Sequence, residues 1–576
     1  MKTLAKTILL CGAIGLTSGL TFAQTQKRGE VTDQEFIIRK DRILTVPTQP
    51  RMYEKLPILP QPTGLSDFTY YVSKYRLKLK PIELKPEAAQ KIYRPERLDL
   101  YNGYVRAGYG NFDSPLLEAR YMGTSVSDFN YAVQLNHQSF GKGPLLAEQS
   151  KESHTNAGFD GSYFANQFEV YGGLMWKQNS YQFYGIDPIL FSEPALEILP
   201  IKGTVQQSVE IKAGIRDIEK IGPFSYDGQL SFRTFNDSYL AKEAQFGVKA
   251  SGSYRPSTDW LAKVGVSFYG TNPEDMTYSL SRTYLAIRPE VSYKYGEFDL
   301  TAGVNLIAEN DSLEAKSSNL HVFPVLKASY HFAEEFGFFA EFSGDVNRNT
   351  YYSFVTENPY LGSSDQLLNT IQNYKIQGGI EGQFQGAFHY RAAVNVSRYN
   401  QLYFFVNNYT NNLETTESEK FSVVYDDKST VYTINAEVGY KFSDIYQLNG
   451  RLDLNQYNLN TQAEAWHKPV WELRVNNQLT PIDRLLIQAN LNFMGGIKAR
   501  GNDLNDLLGY EGLSSGPFEV VNLKTIADLQ LKADYGITDR ISVFAEGNNI
   551  LNGKNIRWLN YPVRGIQFVG GASFKF

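Results

Sequence analysis

From Tyr101 to Phe576, apolar and polar residues alternate in short runs separated by turn residues. In 521–535, Val521, Leu523, Ala527, Leu529, Leu531, Ala533 and Tyr535 share one face, and Asn522, Lys524, Asp528, Gln530, Lys532 and Asp534 the other. Val209, Ile211, Ala213 and Ile215 likewise oppose Glu210, Lys212 and Arg216, and Leu485, Ile487, Ala489, Leu491 and Phe493 oppose Gln488, Asn490 and Asn492. Successive strand side chains point to opposite faces, so this period predicts strands with one apolar and one polar surface. A soluble sandwich would alternate too, and the connections separate the two readings. Short turns (Ala165-Asn166, Pro256-Ser257-Thr258, Tyr295-Gly296, Ala333-Glu334, Gln385-Gly386, Ser443-Asp444, 480–483 and 536–539) take turns with longer stretches at 141–153, 179–203, 271–279, 348–371, 404–429, 497–518 and 552–564. Tight turns at one end and long loops at the other mark a transmembrane antiparallel β-barrel. About 22 strands fit into 101–576, an even number within the bacterial range. The fold class is therefore all-β, preceded by an irregular proline-rich segment.

The last strand is the sharpest local feature. Ile566, Phe568, Gly570, Ala572, Phe574 and Phe576 alternate with Gln567, Ser573 and Lys575. A barrel-closing strand with a terminal aromatic, of the kind that barrel-insertion machinery reads, is expected there. Upstream, 24–100 carries Pro47, Pro50, Pro57, Pro60, Pro62, Pro81, Pro86 and Pro95. Proline lacks the backbone donor that helix interiors and central strands need, so this segment is expected to lie in the periplasm or fill the lumen.

Residues 1–23 have the form of a secretory signal: Lys2 and Lys6, the apolar stretch Ile8–Leu20, then Thr21-Phe22-Ala23 with small residues at the cleavage positions. The run is short for a spanning helix. Acylation of Cys11 fits less well, since Leu10 stands where a small residue belongs. Cys11 is the single cysteine, so the mature chain has no disulfide or thiolate chemistry. Mean hydropathy is −0.35, yet the chain holds 39 Tyr and 36 Phe. A barrel buries only every second residue in lipid and concentrates aromatics in interfacial girdles, which reconciles the two. The outer-membrane lipid is thus the first partner, with both termini on the periplasmic side. The net charge of −5 excludes the basic footprint of a nucleic-acid binder.

Candidate site residues follow from the polar face and the unusual loops. Glu210, Lys212, Arg216, Arg451, Asp453, Glu472, Arg474, Lys524, Asp528 and Lys532, with Asp534, are expected on the lumen wall. Their alternating signs fit cross-strand pairing better than a one-sign selectivity ring. Loop 179–203 carries Tyr181, Phe183, Tyr184, Leu190 and Phe191 among prolines, and exposed apolar residues there call for a lid or a partner. Asparagine-rich 404–429 reads as a solvated loop, with Tyr403, Phe404 and Phe405 in a girdle. Nothing nominates catalysis. The six histidines, His137, His154, His321, His331, His389 and His467, lack metal-site spacing, and no cofactor is expected. Gly141–Pro144 lacks the rest of a phosphate loop, and 501–506 lacks the closing glutamate of a calcium loop.

The stretch Arg540–Asn552 (RISVFAEGNNILN), followed by Trp558, Tyr561-Pro562, Arg564-Gly565 and the Phe-ending strand, resembles the last two strands of TonB-dependent receptors. The signal, tyrosine-rich barrel and Phe-Lys-Phe terminus are similar to those of Bacteroidota proteins. The resemblance implies a 22-stranded barrel and uptake or transport across the outer membrane. It also implies a folded plug, for which 24–100 is too short and too rich in proline, leaving room for a reduced plug. Glu35–Leu44 reads equally as a docking peptide, a short strand or a lumen-threading segment, so TonB interaction is doubtful on the sequence. The alternative is a non-transporting structural subunit of an outer-membrane complex, with outer-membrane protein or lipoprotein partners.

Overall fold

The computed structural model describes residues 101–576 except 125–127, 146, 186–200, 219–221, 277, 312–318, 363–366, 408–419, 444 and 502–517. The expectations for 1–23 and 24–100, for Leu190 and Phe191, for the asparagines of the 408–419 stretch and for 502–506 lie outside the described residues.

Twenty-two strands form one antiparallel sheet that closes on itself. The first strand, Gly103–Gly110, pairs with Ser114–Thr124 on one side and with the last strand, Gln567–Lys575, on the other. The pairing runs from Tyr104 opposite Lys575 to Gly110 opposite Val569, so no edge is left at the seam. Gly571 is required there. A Cβ on it would stand 2.1 Å from the Ala107 carbonyl and 2.7 Å from the Phe544 ring. That ring lies flat inside the seam, under the Arg106 guanidinium at 3.6 Å.

The alternation read from the sequence sets the two faces. Ile211, Phe568, Phe574 and Phe576 stay open on the outer surface, with Ile211 at 50% and Phe568 at 56% exposure. Leu326, Val394, Ile434 and Leu531 do the same around the wall. Such a belt is satisfied only by hydrocarbon, which places the barrel in a membrane. At the short-turn end the belt finishes in paired rings: Phe224 with Tyr254, Trp260 with Tyr293, Phe298 with Tyr330, Phe384 with Phe388, and Tyr121 with Phe576. This is an interfacial girdle.

Connections at that end are tight, as at Gly296 and Gly386, whose φ values of +57° and +68° suit the left-handed turn. The opposite end carries the long connections, although Asn111–Asp113 and 237–241 are short there too. Among the described residues, a short 3-10 turn at Ala147–Ser150 and four larger features fold within the long ones. The larger four are the helix α1 (Tyr351–Glu357) and three hairpins, Leu402–Asn407 with Phe421–Asp426, Lys498–Gly501 with Glu519–Asn522, and Ile556–Trp558 with Tyr561–Pro562.

Two expectations are corrected here. The alternating run 521–535 is not one strand: Glu519–Asn522 belongs to a loop hairpin, and Ile526–Gly536 begins the barrel wall. Lys524 therefore sits exposed in the connection rather than on the wall. Phe404 and Phe405 are not girdle residues. They are fully buried in the hairpin that folds inward above the strands, where aromatic packing outweighs any interfacial preference.

Candidate functional site

The long connections meet over the barrel mouth and share one aromatic core. Phe183 and Tyr184, Phe235 and Ala241, Tyr351, Phe354 and Val355 of α1, Tyr360 and Leu361, Phe405, Phe421 and Val423, and Trp558 and Tyr561 pack together. Tyr360 stacks on Tyr561 with centroids 3.6 Å apart, and Tyr184 meets Tyr561 edge-on at 5.0 Å. Phe405 and Phe421 both meet Trp558 at 5.5 Å. Alternation explains why the 402–407 strand is buried on both sides. Phe405 faces this core, while Phe404 and Val406 face a second cluster around Trp466.

Local sequence builds α1. Thr350 caps it by accepting from Ser353 N at 3.1 Å, and Ser353 Oγ accepts from Thr350 N at 2.9 Å, a reciprocal capping box. Tyr351, Phe354 and Val355 then lie at the i, i+3, i+4 spacing of one helical face, which is the buried one. The wall pins this connection. Glu243 accepts from Tyr351 N at 2.8 Å, and Arg282 donates to Asn349 O at 2.6 Å and Asn369 Oδ1 at 2.7 Å.

Two polar groups lock the rest of the cap. Asp426 accepts from Ser429 Oγ at 2.6 Å and from the backbone N–H groups of Asn460, Thr461 and Gln462 at 2.7–2.9 Å. Burial alone would raise its pKa, but these donors hold it below the usual carboxylate value. His467 is 1% exposed; its Nδ1 lies 2.9 Å from Phe405 O, and Leu559 N donates to its Nε2 at 3.3 Å. Burial pushes its pKa down to about 3, against the Phe405 contact and with help from Arg557 and Lys468, so the ring is neutral.

Beneath the cap lies a chamber of about 630 Å³, bounded by Tyr184 and Tyr360 above and by inward residues of the strands containing Gln138, Glu152, Asn492, Asp528, Asn548 and Gln567. Arg564 and Glu152 pair across its wall, whereas Asp528 is met by neutral donors and Arg557 by a carbonyl and a ring. Arg564 is bonded to Glu152 and lies 3.7 Å above the Phe140 ring, His154 Nε2 is 3.6 Å from Glu152, and Asp528 accepts from Asn549 N at 3.1 Å and Gln530 Nε2 at 3.0 Å. The carboxamides of Gln138, Asn492, Asn548 and Gln567 carry no side-chain hydrogen bond among the described residues. Asn492 Oδ1 and Arg564 Nε are buried without a partner.

The residues nominated from sequence fall into three groups. Tyr181, Phe183 and Tyr184 enter the cap, with Tyr181 packed against its core. Glu210, Lys212, Arg216, Arg451, Asp453, Glu472, Arg474, Asp528, Lys532 and Asp534 lie on barrel strands on the face opposite the lipid belt. They form local pairs, not one site: Lys212–Glu210 at 3.3 Å, Arg216–Glu169 at 2.5 Å and Lys532–Glu546 at 3.1 Å. Arg451 stands opposite Arg474, and Asp453 opposite Glu472. Each arginine escapes the like charge by turning to its own strand, Arg451 to Asp453 at 2.8 Å and Arg474 to Glu472 at 2.6 Å. Phe568, Phe574 and Phe576 face lipid on the closing strand. Of the chamber lining, the sequence reading had nominated Asp528 and Tyr184, and it missed the rest and most of the cap. Only Thr350-x-x-Ser353 ahead of an apolar triplet was a local signal for it.

No family model matches the chain, and no curated protein matches it by sequence. Solved structures do match in fold. The FrpB iron transporter from Neisseria meningitidis superposes with a TM-score of 0.63 at 11% identity, over 83% of this chain and 81% of that one. The ferric-catecholate import receptor Fiu from E. coli K12 gives 0.60 at 9% identity, over 83% and 82%. The ferripyoverdine receptor of the Pseudomonas aeruginosa outer membrane gives 0.59 at 12%, over 83% and 72%. The chain thus shares with these transporters and receptors the fold of a closed 22-stranded antiparallel barrel.

Proposed function

We propose that this protein is a receptor-type transport barrel of the Bacteroidota outer membrane. Solute enters at the long-loop end, is held beneath the cap, and passes through the lumen when the cap loosens. The observation that carries this reading is a solute-sized chamber inside a 22-stranded wall, under a cap built from several separate connections. A wall of that size encloses more space than its own side chains fill. Residues 24–100 serve as a reduced plug in place of a full-length one, and both termini lie in the periplasm. The neighbours in fold are named as transporters and receptors of iron and its chelates, which supports the transport class for this chain.

Planar-bilayer recording on the full chain and on a variant lacking 24–100 tests the plug. The expected result is a silent full-length protein and stable conductance after deletion. Silence in both, with partners co-purifying in fixed stoichiometry from mild detergent, would overturn the reading in favour of a structural subunit.

A further inference from the structure

A small cavity lies where the connection that carries α1 joins the wall, between the strands Phe336–Asn347 and Thr370–Phe384. We propose that it holds a single chloride ion, and that this ion clamps the neck of that connection. The site is separate from the chamber and does not depend on what the barrel transports.

The neck converges on one wall arginine. Arg282, at the head of the strand Arg282–Tyr295, donates to Asn349 O at 2.6 Å and to Asn369 Oδ1 at 2.7 Å. Asn349 completes the closure. Its N–H meets Asn369 Oδ1 at 3.2 Å, and its Nδ2 meets Leu368 O at 2.8 Å and Thr370 Oγ1 at 3.0 Å. The two ends of the connection are thus tied to each other and to the wall, and α1 hangs from that point. Arg348, just before the neck, donates to Gln245 Oε1 at 2.6 Å and Thr271 Oγ1 at 3.2 Å, and lies 3.9 Å above the Tyr269 ring.

The charges here do not close. Arg282 is 4% exposed, Arg348 is partly buried, and each acceptor named for them is neutral. Neither has a carboxylate at ion-pair distance among the described residues. The acids of this region are engaged elsewhere: Glu243 by Arg233 and Tyr351 N, Glu309 by His321 and Asn369 Nδ2, and Asp311 by Asn369 N. Buried charge is costly unless it is paired and hydrogen-bonded, and Arg282 Nε is buried without a partner. Burial, with Arg233 and Arg282 nearby, also pushes the Arg348 pKa down, against Tyr269 and Glu243. An anion beside the pair relieves both strains.

Size and charge then select the occupant. Both arginines line the cavity, with Tyr269, Thr271, Tyr284 and Asn369 among the others, and no carboxylate does. Its volume is about 10 Å³. That is about one water-sized sphere, which admits a one-atom occupant and no sulfate, phosphate or organic acid. Two positive groups without a negative one repel a metal ion and favour an anion over a neutral water.

The test uses the full chain in detergent. Crystals grown in sodium bromide, with data collected at the bromine absorption edge, should show an anomalous peak in this cavity beside Arg282 and Arg348. Limited proteolysis supplies the second readout, in sodium chloride and in sodium gluconate of equal ionic strength, so that screening is constant. Gluconate is too large for the cavity, and cleavage within 348–362 should be about threefold or more faster in it, since a bound ion protects the closed neck. Arg348→Gln removes one charge and should abolish both the peak and the difference between salts, with heat-modifiable migration confirming a folded barrel. Thr271→Val, which removes a hydroxyl at nearly constant volume, should weaken both and keeps the test open where Arg348→Gln does not fold. A cavity that is empty or holds water in bromide would overturn the proposal. So would a bromide peak with equal cleavage in both salts, which would mark an adventitious ion only. A halide effect that both variants leave intact would place the ion elsewhere and overturn the assignment as well.

Discussion

The outer belt and the cap are made of the same residues, Phe, Tyr, Leu, Ile and Val, and end in opposite environments. Belt residues such as Ile211, Leu326 and Phe568 project singly from strands held by the backbone ladder, and each is about half exposed or more. Cap residues such as Phe405, Tyr351 and Phe421 are at most 1% exposed and touch one another across connections far apart in the chain. The belt owes its position to hydrogen bonds that any sequence of the right period would make. The cap has only its side chains, so its order rests on packing and on a few polar locks. Substitutions should therefore act locally in the cap and globally in the belt.

The largest expected effect tests the cap. Phe405→Ala removes a ring that meets Phe354 and Trp558, and truncating a buried Phe destabilises by about 3–5 kcal/mol. Limited proteolysis should show the 402–426 connection cut rapidly while heat-modifiable barrel migration is unchanged. Loss of the folded barrel would show that the two regions form one cooperative unit. In the belt, Ile434→Arg puts a charge on the outer wall, and near the membrane midplane this is worth about 2–4 kcal/mol. Urea unfolding in lipid should register it in the whole barrel, with no new loop cleavage.

Acid comes next in magnitude. His467 has its pKa lowered on folding, so the closed cap holds it neutral while the open loop takes up a proton. Its contribution is complete above about pH 6.5 and is lost as pH falls towards about 3, at roughly 1.4 kcal/mol per unit. Proteolysis of the cap should speed up between pH 7 and pH 5 in the wild type, and a His467→Gln variant should flatten that dependence. The smallest effect belongs to the wall charges. Arg451→Ala breaks contacts to Glu437 and Asp453 that are open to solvent, and should change stability by less than about 1 kcal/mol. A larger shift would mean that the wall pairs are more than local neutralisation.

Alternation, turn residues and the terminal aromatic strand were enough to derive the closed barrel and its strand number, because a period of two leaves only one way to divide lipid from water along a strand. The same rule misled at 521–535, where an apolar face continues past the break at Leu523–Thr525 but the chain leaves the wall for a hairpin. It also misplaced Phe404 and Phe405, since an aromatic cluster beside a loop looks alike in sequence whether it meets lipid or other loops. The chamber was illegible for a related reason. Gln138, Asn492, Asn548 and Gln567 are ordinary inward-facing amides on their own strands, and each becomes notable only when closure sets it beside the others. Sequence alone determined the membrane barrel, its lipid face and its closing strand, all consequences of local period. Tertiary structure decided which loops form the cap, which charges are already paired and which amides remain free, because those depend on contacts between residues hundreds of positions apart.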